Sequence, residues 1–95
     1  MRLEIVDAAL DEAEAARNHY ASREAGLGDA FARDFAQSIA WIEAQPLAWA
    51  LVGKRARRRL LDRFPYAVIY RVEKDLIRVV AVMHQRQRPG YWRSR

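Results

Sequence analysis

His84, Arg86, Arg88, Tyr91 and Trp92 stand close together in the stretch HQRQRPGYWRSR, directly after the apolar run LIRVVAVM. An imidazole with an unperturbed pKa near ~6.5 moves protons at neutral pH, guanidinium groups stabilise charge on a phosphate, and aromatic rings stack on bases. Such a set suits RNA cleavage, with His84, Arg86 and Tyr91 as the reacting groups and Arg88 and Trp92 holding the target. The competing reading is structural. Pro89-Gly90 makes a turn, Tyr91 and Trp92 fold back on the core, and the arginines are solvated. Composition and spacing leave both readings open.

A second cluster is the tract Lys54, Arg55, Arg57, Arg58, Arg59 and Arg63. On a strand, alternate side chains share a face, which predicts Arg55, Arg57 and Arg59 on one side and Lys54 and Arg58 on the other. One such face, extended by Arg63, would bind phosphates or an acidic protein. The alternative is an edge strand kept soluble by its charge. Six cations in this short tract exceed what edge protection requires, which favours binding.

Other chemistry finds little support. Ser22, Ser38 and Ser94 lie in no nucleophile-elbow context. His19 and His84 fall on different predicted elements without a ligand-spaced neighbour, and the chain has no cysteine, so no metal site is expected. Gly53-Lys54 lacks the remainder of a phosphate-binding loop. No cofactor is implied.

The elements that must position these residues follow from periodicity. RLEIV alternates as a short strand. Asp7 offers a cap for a helix through AALDEAEAARNHYASREAG, with Leu10, Ala13, Ala16 or Arg17, and Tyr20 in one stripe. Gly26-Leu27-Gly28 breaks it, and Asp29 can cap a second helix carrying Phe31, Phe35, Ile39 and Ile42 before Pro46. So short a break predicts an antiparallel helical hairpin. After Pro46 the pattern turns to strands. LVGKRARRRLLDRF supplies one, and FPYAVIYRVEKDLIRVVAVMH two more around Glu73-Lys74-Asp75; their near-continuous apolar character places them mid-sheet. The expected fold is α+β, in the order β-α-α-β-β-β, with the hairpin packed on a small twisted antiparallel sheet.

Ninety-five residues make one domain over 1–95, with a single modest core. No apolar stretch approaches the ~20 residues of a membrane span, and there is no secretory signal, so a cytoplasmic protein without membrane contact is expected. The net charge of +5 is unevenly spread. Residues 1–50 hold four Lys/Arg against nine Asp/Glu, while residues 51–95 hold thirteen against three. The second half therefore suits nucleic acid or an acidic partner.

The string FPYAVIYRVEKDLIRVVAVMHQRQRPGYW, with the helix pair and the PLAW segment, resembles the RelE/ParE superfamily of toxins from type II toxin-antitoxin modules. The likeness is closest to a ParE-like branch often described as plasmid-stabilisation proteins. Its most specific part is Val-Met-His followed by Arg-x-Arg-Pro-x-Tyr-Trp. The resemblance implies a helical hairpin on a small antiparallel sheet, a growth-inhibiting toxin, and a cognate antitoxin that wraps and silences it. It implies either of two targets. ParE-like members poison DNA gyrase without catalysis, whereas RelE-like members are ribosome-dependent mRNA interferases. The RelE pattern has an arginine three positions before the tyrosine corresponding to Tyr70, where this chain has Ala67, and this departure favours gyrase. Arg86 matches the arginine after the last strand, and Tyr91 or Trp92 lies near the RelE tyrosine. No small-molecule substrate is implied. A third class, a non-toxic nucleic-acid-binding module, rests on the charge alone.

Overall fold

The computed structural model describes all residues, Met1–Arg95. Its elements run β1 Arg2–Ile5, α1 Asp7–Arg23, α2 Leu27–Ala44, β2 Ala50–Val52, β3 Ala56–Leu60, β4 Tyr66–Glu73 and β5 Leu76–His84. Five strands form one sheet in the order β1-β5-β4-β3-β2. The α+β class, the helical hairpin and the central position of β4 and β5 agree with expectation.

Two features of the sheet correct it. β1 pairs with β5 in parallel, Leu3 opposite Ile77 and Ile5 opposite Val79, so the sheet is mixed. The alternation of RLEI marks a strand but carries no information about its partner's direction. The segment LVGKRARRRLLDRF, read as one strand, is divided between the end of β2 and β3, with Lys54 and Arg55 in the turn and Arg63 in the loop that follows. Gly53 takes φ 75, a left-handed conformation that reverses the chain so that Val52 pairs antiparallel with Ala56.

The helices pack on one face. α1 presents small residues, Ala9, Ala13 and Ala16, all buried, which lets its backbone approach the sheet; Leu10 lies instead on the exposed side. Gly28 allows an equally close approach between the helices, since a Cβ there would sit 2.7 Å from that of Ala21. Neither Asp7 nor Asp29 caps its helix. Both lie in first turns, where a carboxylate still favours the helix dipole. Phe31 and Ile42 of α2, Val68 and Tyr70 of β4, and Ile77 and Val79 of β5 fill the space between helices and sheet.

The second face of the sheet has its own apolar layer: Ala56, Ala67, Ile69, Val80, Ala81 and Met83, closed over by Trp92 from the C-terminal segment. A bulge makes this possible. The β4–β5 register slips between Ile69 and Tyr70, so Ile69 faces Ala81 while Tyr70 faces Val79. Val80 is the extra residue. It turns with Ala81 toward the second face, and Val82 returns to the helix side.

Candidate functional surface

The arginine tract divides between interior and surface. Arg57 and Arg59 do share a face of β3, but that face looks toward the helices, where the cross-strand partners Tyr70 and Val68 are buried. Arg59 is only 7% exposed. Its Nη1 donates to Ser38 Oγ of α2 at 2.7 Å and to the Leu60 carbonyl at 3.0 Å, its Nη2 lies 3.4 Å from Asp62, and its guanidinium sits 4.7 Å from the Trp49 ring centre. Arg57 Nη1 donates to the carbonyls of Trp49 and Leu47. Together with the Tyr70 hydroxyl, which donates to the Pro46 carbonyl, it fastens the PLAW segment to the sheet. These two cations hold the fold together. Arg55 lies in the turn rather than on their face, and Arg58 points to the opposite side; both are exposed, as is Arg63 in the loop after β3.

That loop is held by a residue the sequence pattern hides. Asp34 lies on the buried side of α2 and accepts the backbone N–H groups of Asp62, Arg63 and Phe64 at 3.1, 2.8 and 3.3 Å. A carboxylate within an apolar stripe was the available signal, since such a group is buried only when donors surround it.

At the far end of β5 the proposed reacting groups His84 and Tyr91 are each engaged by structural partners. His84 Nδ1 accepts the backbone N–H of Arg86 at 3.0 Å, and the His84 N–H donates to the Gln87 side chain at 2.7 Å. With Nδ1 committed as an acceptor, the neutral ring carries its proton on Nε2. The ring also packs edge-on against Tyr66, with centroids 5.0 Å apart. Tyr91 donates its hydroxyl to Glu12 Oε2 of α1 at 2.7 Å. Burial, then the hydrogen bond and charge of Glu12, push this phenol well above its ordinary range, with Arg95 and Gln87 opposing weakly. It stays protonated at neutral pH and gives up its proton less readily than an ordinary tyrosine. Trp92 is 3% exposed and stacks on no base in this conformation. Arg86 and Arg88 remain exposed and unpaired.

Glu12 unites the C-terminal segment with α1 and the sheet. Besides Tyr91 it accepts Arg95 Nη1 at 2.9 Å and the Val82 N–H at 3.0 Å, while Arg95 Nη1 also donates to the Val80 carbonyl. β1 ends before this part of β5, so these contacts cover the main-chain groups that an open strand edge would leave unpaired.

Beside Trp92 the second face carries a concavity of about 280 Å³, floored by Ala67, Ile69 and Met83 and flanked by Arg58, Leu60 and Gln87. Arg58 is its only ionisable lining residue. Another groove, of about 470 Å³, runs between the helices, lined by Leu10, Phe31 and Phe35 among others. Both offer apolar contact with a charged margin, which suits a bound polypeptide better than bond cleavage.

The family model for the ParE toxin of the type II toxin-antitoxin system parDE matches residues 3–89. The chain belongs to the ParE toxin family. It is a type II toxin of the RelE/ParE superfamily. Comparison with the curated proteins gave no match. Among solved structures it is similar to one described as the chromosomal ParDE toxin-antitoxin system from P. aeruginosa, with a TM-score of 0.74 and 20% identity, over 88% of this chain and 95% of that one. At that identity the likeness speaks for the ParE fold alone. No helix of this ParE-family chain is long and apolar enough to cross a membrane.

Proposed function

We propose that this ParE-family chain arrests growth by poisoning DNA gyrase in the cytoplasm, and that a cognate antitoxin holds it inactive within a plasmid-stabilisation module. The observation that carries this reading is the sheet surface beside Trp92. Where a nuclease needs converging acid, base and phosphate-binding groups, this surface presents Ala67, Ile69 and Met83, with Arg58 alone charged. His84 and Tyr91 are engaged in structural hydrogen bonds. Binding, without bond-breaking by the toxin itself, is the chemistry such a surface supports.

The antitoxin is proposed to lay apolar side chains in the helix groove and beside Trp92, with acidic residues meeting the exposed cations Arg58, Arg63, Arg86 and Arg88. Pairs at that margin are screened by salt, so the antitoxin's dissociation constant should rise with ionic strength, mainly through slower association. A salt-independent constant contradicts this docking surface.

The test of the target uses purified protein with gyrase and supercoiled DNA. Covalent gyrase-DNA complexes, released as linear DNA on denaturation, are expected for the wild type and equally for His84→Ala and Arg86→Ala. Discrete cuts in translated mRNA that disappear in Arg86→Ala, without gyrase complexes, would transfer the chain to the mRNA interferases.

A further inference from the structure

Next to the apolar groove, and sharing Val52 and Trp92 with it, the second face carries a concavity whose walls are cationic. One cross-strand row explains it. Val52 pairs with Ala56, Ala56 with Arg71, Arg71 with Arg78, and Arg78 with Glu4, so the row crosses all five strands. The two short side chains at the β2–β3 end leave a hollow beside the long Arg71. The Gly53 turn places Lys54 and Arg55 at its rim, and the C-terminal segment brings Arg93 to the other side. The resulting space is about 470 Å³, lined by Lys54, Arg55, Arg71 and Arg93 together with Val52, Gly53, Ala56 and Trp92.

The charges in this row are treated differently. Arg78 is neutralised by Glu73 at 3.0 Å and Glu4 at 3.9 Å. Arg71 beside it has no carboxylate side chain as a partner. Its Nη2 donates to the main-chain oxygen of Arg95, and its Nε is buried without any hydrogen bond. The indole N–H of Trp92 at the same hollow is likewise buried and unpartnered. Lys54, Arg55 and Arg93 are exposed and make no ion pair. No acidic residue lines the space. With Arg71 held by Arg95, the three unpaired cations Lys54, Arg55 and Arg93 around one hollow repel one another, and an anion bound among them removes that repulsion.

We propose that this hollow is a phosphate-binding site, shaped for two or more linked phosphate groups. A single carboxylate would offset only one of the three unpaired charges, whereas linked phosphates match them, and arginine forks engage their oxygens two at a time. Trp92 is too deeply buried to stack on a base, so recognition is of phosphate rather than of sequence. The source is either the polyphosphate chain of a small molecule or the backbone of a nucleic acid. The inference does not depend on gyrase being the toxin's target.

Titration calorimetry of the full chain with pyrophosphate at fixed ionic strength tests it. Saturable one-to-one binding is expected, weaker by about tenfold or more in the exposed-turn variant Lys54→Gln/Arg55→Gln, since two charge-assisted contacts are lost. The control Arg23→Gln/Arg33→Gln removes the same charge from the helices and should bind as wild type. Arg71→Lys, which keeps the charge and loses the fork, should also weaken binding. Displacement of pyrophosphate by a short oligothymidylate at concentrations where inorganic phosphate fails would identify the backbone as the source; the reverse order would identify a small phosphate compound. Equal losses in both double variants would reduce the effect to diffuse charge and overturn the site, as would hexaglutamate binding there as tightly as pyrophosphate.

Discussion

The two faces of the sheet use arginine in opposite ways. On the helix side, Arg57 and Arg59 are bonded to Ser38, Asp62 and main-chain carbonyls, and their charge is spent inside the molecule. On the other side and its margins, Arg58, Arg63, Arg86 and Arg88 meet solvent without an ion pair. Neighbours in sequence thus perform different tasks, because the pleat sends alternate residues to a wet and a dry face. A basic tract is evidence for a binding surface only in those residues that the fold leaves exposed, here Lys54, Arg55, Arg58 and Arg63.

The largest expected effect concerns what closes the second face. Trp92→Ala should lower unfolding free energy by about 3–5 kcal/mol, the usual range for removing a buried large aromatic. Chemical denaturation measures it, and a change below about 1 kcal/mol, typical of a surface site, would show that the C-terminal segment does not pack there. On the helix face, Asp34→Ala strips three backbone donors of their acceptor and should cost about 3 kcal/mol. Asp34→Asn, which keeps an acceptor oxygen, should cost less. Equal losses for the two would locate the effect in side-chain volume.

The arginine comparison is sharpened by a neighbouring pair. Arg59→Met leaves Ser38 buried without its donor and should cost about 2 kcal/mol, while Arg58→Ala should stay within about 0.5 kcal/mol. For antitoxin binding the order reverses: Arg58→Ala weakens it, and Arg59→Met acts only through folding. If the two variants lose stability equally, the division of the tract is wrong.

The smallest effect is one of pH. Tyr66, Tyr70 and Tyr91 all have raised folded-state pKa values, chiefly from burial. The folded chain therefore holds these protons where the unfolded chain releases them, and stability is lost as pH climbs above about 10, the unfolded tyrosine value. Tyr91→Phe should flatten that alkaline decline. An unchanged pH profile would remove Tyr91 from its account.

Much of this architecture was legible in the sequence because it rests on local pattern. The near-continuous apolar runs in YAVIYRVE and LIRVVAVM marked the two central strands, and Phe31 and Ile42 marked the buried side of α2. The direction of β1 was not legible, since a strand's partner is chosen in space. The break at Gly53 has a local signal, a glycine between the apolar Leu51-Val52 and the basic run. For the candidate site, Arg55, Arg58, Arg63, Arg86 and Arg88 lie on the surface, whereas Arg59 and Trp92 are interior. Their types alone could not reveal this, because a guanidinium is buried only where distant residues, here Ser38 and Trp49, receive it. Glu12 left no trace at all. Its three bonds join α1, β5 and the C-terminal segment, which lie far apart in the chain.

Hydrogen-deuterium exchange of the arginine side-chain Nε protons, followed by nuclear magnetic resonance, tests the division of the cations most directly. The Nε groups of Arg59 and Arg71 are buried, and their protons should exchange far more slowly than those of Arg58, Arg63, Arg86 and Arg88. Uniform, rapid exchange across all of them would contradict the account.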